Sequence, residues 1–432
     1  MIDLKRLRSS PDEVRAALAR RGDASVMALL DELRGLDERR RTLSGQLDAL
    51  KSDRNKFALE DAATVKQRGK LPKEIIEQRK DSGLKITSLE HELRSIETVL
   101  SAKGLFVPNL PLAGVPDGDA SANKVVRSWG TPRSETGLKP HWDIGEQLGL
   151  LDLPRGARIS GSGFPLLTGM GARLSRSLIA LMLDLHTREH GYREIAPPFV
   201  VKRETMQGTG QLPKFEEEAY KTAPDDLFLI PTAEVPVTNI HRDEILDGAK
   251  LPLAYTAYTP CFRREAGAAG KDTRGLLRVH QFDKVELVRL VAPEASTAEL
   301  DVITRHAATV LERLELPYRV VLLAAGDTGF GSAMTYDLEV FAPGVGAWLE
   351  VSSASVFTDF QARRANIRFR PKPGEKPDFV HTLNASGVAL PRTIAAILEH
   401  GQEADGSVRL PKALVPYVGV ERLGPPGGPT GG

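Results

Sequence analysis

The chain has 432 residues, 41% hydrophobic and 27% charged, with a formal net charge of +1 and one cysteine, Cys261. Length sets a prior of about two to three domains, and this composition is that of a folded globular protein, not a disordered one. One thiol excludes an intrachain disulfide and a cysteine-rich zinc site, and a charge near zero means that any nucleic-acid surface must be local.

The opening Met1-Ile2-Asp3-Leu4-Lys5 reaches an acidic residue at once, without the apolar stretch of a signal peptide. No apolar run has the length of a membrane span, so a cytoplasmic location is expected. A short amphipathic stretch, Pro11 to Arg21, follows a Ser-Ser-Pro-Asp capping signal. Then Leu29, Leu33, Leu36, Arg40, Leu43, Leu47, Leu50, Arg54 and Phe57 step by four and three, and after a polar segment (61–72) Ile75, Arg79, Ser82, Ile86, Leu89, Leu93, Ile96 and Leu100 do the same. Two heptad runs joined by a short connection predict an antiparallel helical hairpin. Heptads specify packing and not purpose, so a plain dimerisation coiled coil is one reading of this arm.

Residues 104–132, rich in Pro, Gly, Asp and Ser, predict a linker. Beyond His141 the pattern changes: helical periodicity over 174–190 alternates with β-rich runs at 255–262, 279–291, 318–324 and 347–352. The expected organisation is a helical arm over 1–108, an α+β domain around a mainly antiparallel sheet over 109–423, and a disordered Gly/Pro tail over 424–432. There is no P-loop and no dinucleotide fingerprint, so a nucleotide must be held another way.

Chemistry concentrates between Thr259 and Glu286. Cys261-Phe262-Arg263-Arg264-Glu265 leads into a Gly-rich polar loop, and Arg278 to Glu286 returns from it. Two strands around such a loop predict a long hairpin, and alternation puts Arg263 with Glu265 on one face and Arg278, Phe282 and Glu286 on another. Arginine forks suit phosphate, an aromatic face can stack a base, and carboxylates accept from amino groups. An isolated Arg-x-Glu would be an ordinary surface ion pair; the whole assembly at these spacings is not.

This stretch resembles motif 2 of class II aminoacyl-tRNA synthetases, in the wording of the seryl branch. Gly191 to Pro198 resembles motif 1, whose helix, strand and proline form a dimer interface in that class, and Thr382 to Arg392 resembles motif 3. The segments 208–215, 231–236, 350–353 and 359–364 are similar to seryl-family segments. The resemblance implies a class II fold, an antiparallel sheet flanked by helices, carrying an N-terminal all-α antiparallel coiled-coil arm. It implies an enzyme that activates L-serine with ATP and Mg2+ and loads it onto tRNA(Ser), with tRNA(Sec) as a second RNA, as a homodimer.

By the same resemblance, Arg263, Glu265 and Arg392 are the catalytic group. ATP falls to Arg263, Arg264, Glu265, Arg278, Val279, Phe282, Glu350, Val351, Ser352, Ser353 and Arg392, with Phe282 and Arg392 sandwiching the adenine. Serine falls to Thr232, Ala233, Glu234, Arg263, Glu286, Asn384 and Ser386, and Mg2+ to Glu350 and Ser353. Thr232 and Glu234, two apart, are expected to share a strand face. Arg39, Arg41, Lys51 and Lys56 are the expected phosphate contacts of the arm, while Arg40 and Arg54 fall on its seam. The sequence departs from the family pattern at Gly163, Arg264, Ala354 to Val356 and Ala385, which bears on the fine packing of the serine pocket. Two other functions stay open: an amino acid ligase that charges a carrier protein, which would not need the arm, and a catalytically silent RNA-binding paralogue, which should have lost motif arginines and glutamates.

Overall fold

Helix α1 (Ala24–Arg68) starts where the Asp23 side chain accepts from the Ser25 amide and stops at Gly69, whose left-handed backbone closes the last turn. Pro72 precedes α2 (Lys73–Gly104). The computed structural model describes residues 1–266 and 274–424. Its chain forms two compact units, one of residues 2–19 and 23–108, the other of residue 1, residues 20–22 and residue 109 onward. Of the expected disordered tail, residues 425–432 lie outside the described residues.

In the smaller unit α1 and α2 pack against each other through Leu30, Leu33, Leu43 and Leu47 on one helix and Ile86, Ile96 and Leu100 on the other. At 1.5 Å per residue α1 is about 68 Å long and α2 about 48 Å. The helix continues past the expected break at residue 61 because 58–68 holds no Gly or Pro and is mostly Ala, Leu, Glu, Lys, Gln and Arg, good helix formers that outweigh Asp61, Thr64 and Val65. There the leucine seam gives way to polar contacts: Arg79 pairs with Asp61 at 2.9 Å and lies 3.9 Å above the Phe57 ring. The seam keeps the expected Leu33, Leu43, Leu47, Ile86, Ile96 and Leu100 and departs from expectation at single steps. Leu30 and Asp37 are buried, Asp37 against Arg8 and Arg40, whereas Arg54 is exposed.

The larger unit is built on eight strands, in chain order β1 (Lys124–Trp129), β2 (Arg193–Glu194), β3 (Leu253–Phe262), β4 (Gln281–Val291), β5 (Tyr318–Leu322), β6 (Met334–Ala342), β7 (Ala347–Thr358) and β8 (His381–Ala389). They lie in the order β1-β5-β6-β7-β8-β4-β3-β2, antiparallel throughout except that the edge strand β2 runs parallel to β3. Among its helices are α3 (Gly169–Arg188), α4 (Glu234–Thr238), α5 (Ser296–Arg313), α6 (Phe360–Ala365) and α7 (Leu390–Gly401). The main core packs α3, α5 and α7 on one side of the central strands through Leu178, Met182, Ile303, Ala307, Ile394 and Ile397. A second cluster packs α4 and α6 through Val237, Ala362 and Ala365. No helix among the described residues is long and apolar enough to cross a membrane.

Candidate active site

Strand alternation divides β4 into two faces. Val285, Leu287 and Val291 enter the main core, while Phe282, Lys284 and Glu286 face the other way and are continued by Val288 and Leu290 of the second cluster. On β8, Leu383 and Ala385 enter the core and Asn384 and Ser386 lie opposite. Strand β7 would separate Glu350 from Ser353, three residues apart, were it regular. Instead Glu350 pairs with Glu339 and Ser352 with Leu338, so Val351 is an inserted residue. This bulge re-phases the strand and brings Glu350, Ser353 and Ser355 to one cavity while Val351, Ala354 and Val356 enter the core.

These side chains line a cavity of about 520 Å³, within the range of small-molecule sites. Arg263, Glu265, Arg278, Val279, Phe282, Glu350, Val351, Ser353 and Arg392 contribute to it, as do Thr232, Glu234, Asn384 and Ser386. The Arg263 guanidinium carbon lies 5.2 Å from the Phe282 ring centre. Arg278 donates to Glu265 at 2.7 Å. Arg392, in the first turn of α7, donates to the carbonyls of Leu277 at 2.9 Å and Glu350 at 2.8 Å.

Four expectations need correction. Thr232 and Glu234 are not on a strand: Thr232 sits in a turn, its hydroxyl accepts from the Glu234 amide at 3.2 Å, and Glu234 begins α4. Arg263 and Glu265 share no strand face, because β3 ends at Phe262 and Glu265 has a left-handed backbone (φ 50°). Arg278 precedes β4 and reaches Glu265 from outside the strand. Three candidate residues face elsewhere: Arg264 donates to the Glu217 carbonyl at 3.1 Å, Ser352 to the Ser386 carbonyl at 2.7 Å, and Ala233 is buried in the second core cluster. The Gly-rich loop at 267–273 lies outside the described residues.

Glu286, 1% exposed, sits behind the lining. Asn384 donates to its Oε1 at 2.9 Å, and Lys284 and Thr232 reach its Oε2 at 2.5 and 3.3 Å. Lys284 also donates to the Thr232 hydroxyl at 2.9 Å. Glu234 accepts from Gln361 at 2.6 Å, whose own carbonyl accepts from Thr382 at 2.6 Å. Burial, then the Glu286 charge, pushes the Glu234 carboxyl up to about 7 against the pull of the Gln361 bond. Burial also raises Glu286, opposed first by Lys284. Asp337, opposite Ser353 on β6, is raised by burial and by Glu350, and its Oδ1 is buried without a hydrogen-bond partner.

Sequence reasoning missed Lys284, Gln361 and Asp337. Lys284 was within reach, since it lies two residues from both Phe282 and Glu286 and must share their face. Gln361 and Asp337 come from distant segments, and no local spacing pointed to them. On the arm, Arg39 pairs with Glu92, Lys51 with Glu90 at 2.8 Å and Lys56 with Asp53 at 3.9 Å, while Arg41 is exposed.

An antiparallel sheet that carries an aromatic ring into one cavity, with two arginines and a carboxylate just beyond its strand ends and a third arginine in the first turn of a helix that follows, defines a class II aminoacyl-tRNA synthetase. The comparisons agree: residues 214–401 match the tRNA synthetase class II core domain (G, H, P, S and T), and residues 1–111 the seryl-tRNA synthetase N-terminal domain. A serine–tRNA ligase of Gemmatimonas aurantiaca is 57% identical over 97% of this chain and 99% of its own length. The crystal structure of a seryl-tRNA synthetase from Pyrococcus horikoshii complexed with ATP superposes with a TM-score of 0.94, at 39% identity over 99% of this chain and 100% of that one. A cytoplasmic serine–tRNA ligase from Naegleria fowleri in complex with AMP gives 0.86, at 30% identity over 98% of both. The chain belongs to the seryl-tRNA synthetase family. Its activity is accordingly that of a serine–tRNA ligase: ATP-dependent activation of L-serine to seryl-adenylate and transfer to tRNA(Ser).

Proposed function

We propose that the cavity binds ATP and serine side by side and that its charged walls perform the activation step. A serine carboxylate oxygen attacks the α-phosphorus, the bond to the β-phosphate oxygen breaks, and pyrophosphate leaves. No protein nucleophile is required, so catalysis is positioning and stabilisation of negative charge. The observation that carries this reading is the convergence of Arg263, Arg278 and Arg392 on one cavity beside Phe282. Arg263 bridges the α-phosphate and the serine carboxylate, Arg278 holds the triphosphate tail, and Arg392 reaches the γ-phosphate. The adenine lies on Phe282, with Glu265 and the Val279 backbone at its edge. In the second step the terminal adenosine hydroxyl of the tRNA attacks the seryl carbonyl and AMP leaves.

The amino acid occupies the end lined by Thr232, Glu234, Asn384 and Ser386. Glu234 takes the α-ammonium. Glu286 takes the side-chain hydroxyl in place of the Thr232 contact, whose 3.3 Å is long for O–H···O. Glu350 and Ser353 would hold Mg2+: the bulge at Val351 puts their oxygens on one cavity, with the unpartnered Asp337 Oδ1 behind them. An all-oxygen set of this kind suits Mg2+ shared with substrate phosphates, where the ion would neutralise phosphate charge. Among the described residues no three His, Cys, Asp or Glu side chains form a metal cage of their own.

The hairpin is the proposed tRNA(Ser) grip, reading backbone shape, and tRNA(Sec) is the proposed second RNA. Of its basic residues, Arg39, Arg41, Lys51 and Lys56 meet phosphate, three of them by exchanging the carboxylates that they now face. The homodimer would form through the motif 1 segment, which includes the exposed edge strand β2, and the cytoplasm is the proposed location. Pyrophosphate exchange with each amino acid in turn, followed by charging of tRNA(Ser), tests the whole reading: serine alone should support exchange, and exchange without charging would favour the carrier-protein ligase.

A further inference from the structure

Two buried carboxylates, Glu234 and Glu286, stand within one amino acid pocket. A lone buried charge is costly unless it is paired. Glu286 has a partner in Lys284, itself only 5% exposed, whose ammonium lies 2.5 Å from Oε2 and 2.9 Å from the Thr232 hydroxyl. Glu234 has only the neutral amide of Gln361. With Glu234 ionised, as the ammonium of a bound amino acid favours, the buried groups carry one surplus negative charge, matching that single α-ammonium. Lys284 lines the cavity, whereas Glu286 lies behind it.

We propose that Lys284 is a specificity-positioning residue: it holds Glu286 as an ionised, acceptor-only carboxylate, so that the pocket takes a side chain that donates a hydrogen bond there and rejects one that cannot. The inference rests on the reading of Glu286 as the hydroxyl acceptor. An ionised carboxylate has no proton with which to satisfy itself. A side chain without a donor leaves the desolvated carboxylate one acceptor bond short beyond those from Lys284 and Asn384, and this is the source of strong discrimination against hydroxyl-lacking analogues. Deprived of Lys284, Glu286 would bind a proton. As a neutral acid it could donate to the Asn384 carbonyl oxygen or to Thr232 after a side-chain turn, and the penalty against alanine would shrink. Lys284 touches Thr232 as well, so it also fixes which way that hydroxyl points.

The test is serine- and alanine-dependent pyrophosphate exchange by the wild type, Glu286→Gln, Lys284→Met, Lys284→Arg and the double variant Lys284→Met/Glu286→Gln. Lys284→Met should raise the serine KM at least tenfold, leave the ATP KM within twofold and cut the serine-over-alanine preference at least tenfold. Lys284→Arg should restore most of that preference. Because Lys284 acts through Glu286, the double variant should match Glu286→Gln alone within about threefold, a comparison that holds even if Lys284→Met folds poorly. Unchanged preference in folded Lys284→Met alongside a loss in Glu286→Gln would overturn this inference and leave the Glu286 reading standing. So would equal loss for ATP and serine without rescue by arginine, or a double variant tenfold worse than Glu286→Gln. Unchanged preference in Glu286→Gln would overturn the Glu286 reading itself, and this inference with it.

Discussion

His280 grips Arg263 through the backbone: its Nδ1 donates to the Arg263 carbonyl at 2.9 Å, and the Arg263 amide donates to the His280 carbonyl at 2.9 Å. His280 is held in turn by Phe164, stacked at 5.4 Å, and by Gly163, whose carbonyl accepts from the His280 amide at 2.8 Å. Gly163 has φ +81°, and a Cβ there would lie 2.3 Å from the imidazole Cδ2. The glycine that departs from the family pattern is thus fitted to the ring that steadies the proposed catalytic arginine.

Gly163→Ala should therefore act twice. The positive φ costs about 1 kcal/mol of stability, and the displaced imidazole releases Arg263, lowering kcat for exchange roughly tenfold. Thermal melting and exchange kinetics on one sample check this; an alanine variant that melts and turns over like the wild type would show that His280 does not position Arg263.

The Glu234 carboxyl sets a pH dependence. Its folded value of about 7 stands above the ordinary 4.5, so between those values the folded protein holds a proton that the unfolded chain releases. Stability from this group is full below about 4.5 and declines as pH rises through 7. Serine binding has the opposite trend, because its ammonium favours the carboxylate: the serine KM should fall as pH rises from 6 to 8. Denaturant melts and KM measurements across that range test both, and Glu234→Gln should flatten each curve.

The bulge at Val351 predicts that two adjacent serines behave differently. Ser353→Ala should raise the Mg2+ concentration for half-maximal exchange several-fold. Ser352→Ala should leave it unchanged and cost about 1 kcal/mol of stability, the worth of its hydrogen bond to the Ser386 carbonyl. A Mg2+ titration of exchange separates the two, and equal titrations would remove Ser353 from the proposed metal site.

The arm should matter only to the second step. Every proposed ligand of ATP and serine lies between Thr232 and Arg392, and α1 and α2 hold none. Deleting residues 35–95 and closing the hairpin with a short turn should leave pyrophosphate exchange nearly intact and abolish most tRNA charging. Binding of tRNA by the full chain should weaken steeply with salt, as phosphate contacts require. Normal charging by the shortened enzyme would make the hairpin a packing device.

Much of this was legible in the residues. The heptads gave the hairpin because a leucine seam is a local, periodic signal, and the long strands of the sheet announced themselves as β-rich runs between turns. The site was legible where alternation holds, as for Phe282 with Glu286 and Asn384 with Ser386. It was misread where the backbone breaks its period: at Glu265, whose left-handed φ ends the strand face, and at Thr232, where a turn replaces a strand. The bulges at Val351 and Gly387 each shift a side chain to the opposite face, which no count of residues reveals. The departures Ala354, Val356 and Ala385 all face the core, which only the strand phase could show.

The most direct test of the site is the pair Arg263→Ala and Arg264→Ala, two adjacent arginines of which only the first lines the cavity. Serine-dependent pyrophosphate exchange, measured on folded protein, should fall at least 100-fold in Arg263→Ala, the loss of about 3 kcal/mol of transition-state stabilisation expected for one preorganised donor. Arg264→Ala should stay within about threefold of the wild type. Near-normal exchange by folded Arg263→Ala, or an equal collapse in both variants, would contradict the assignment of this cavity as the place where serine is activated.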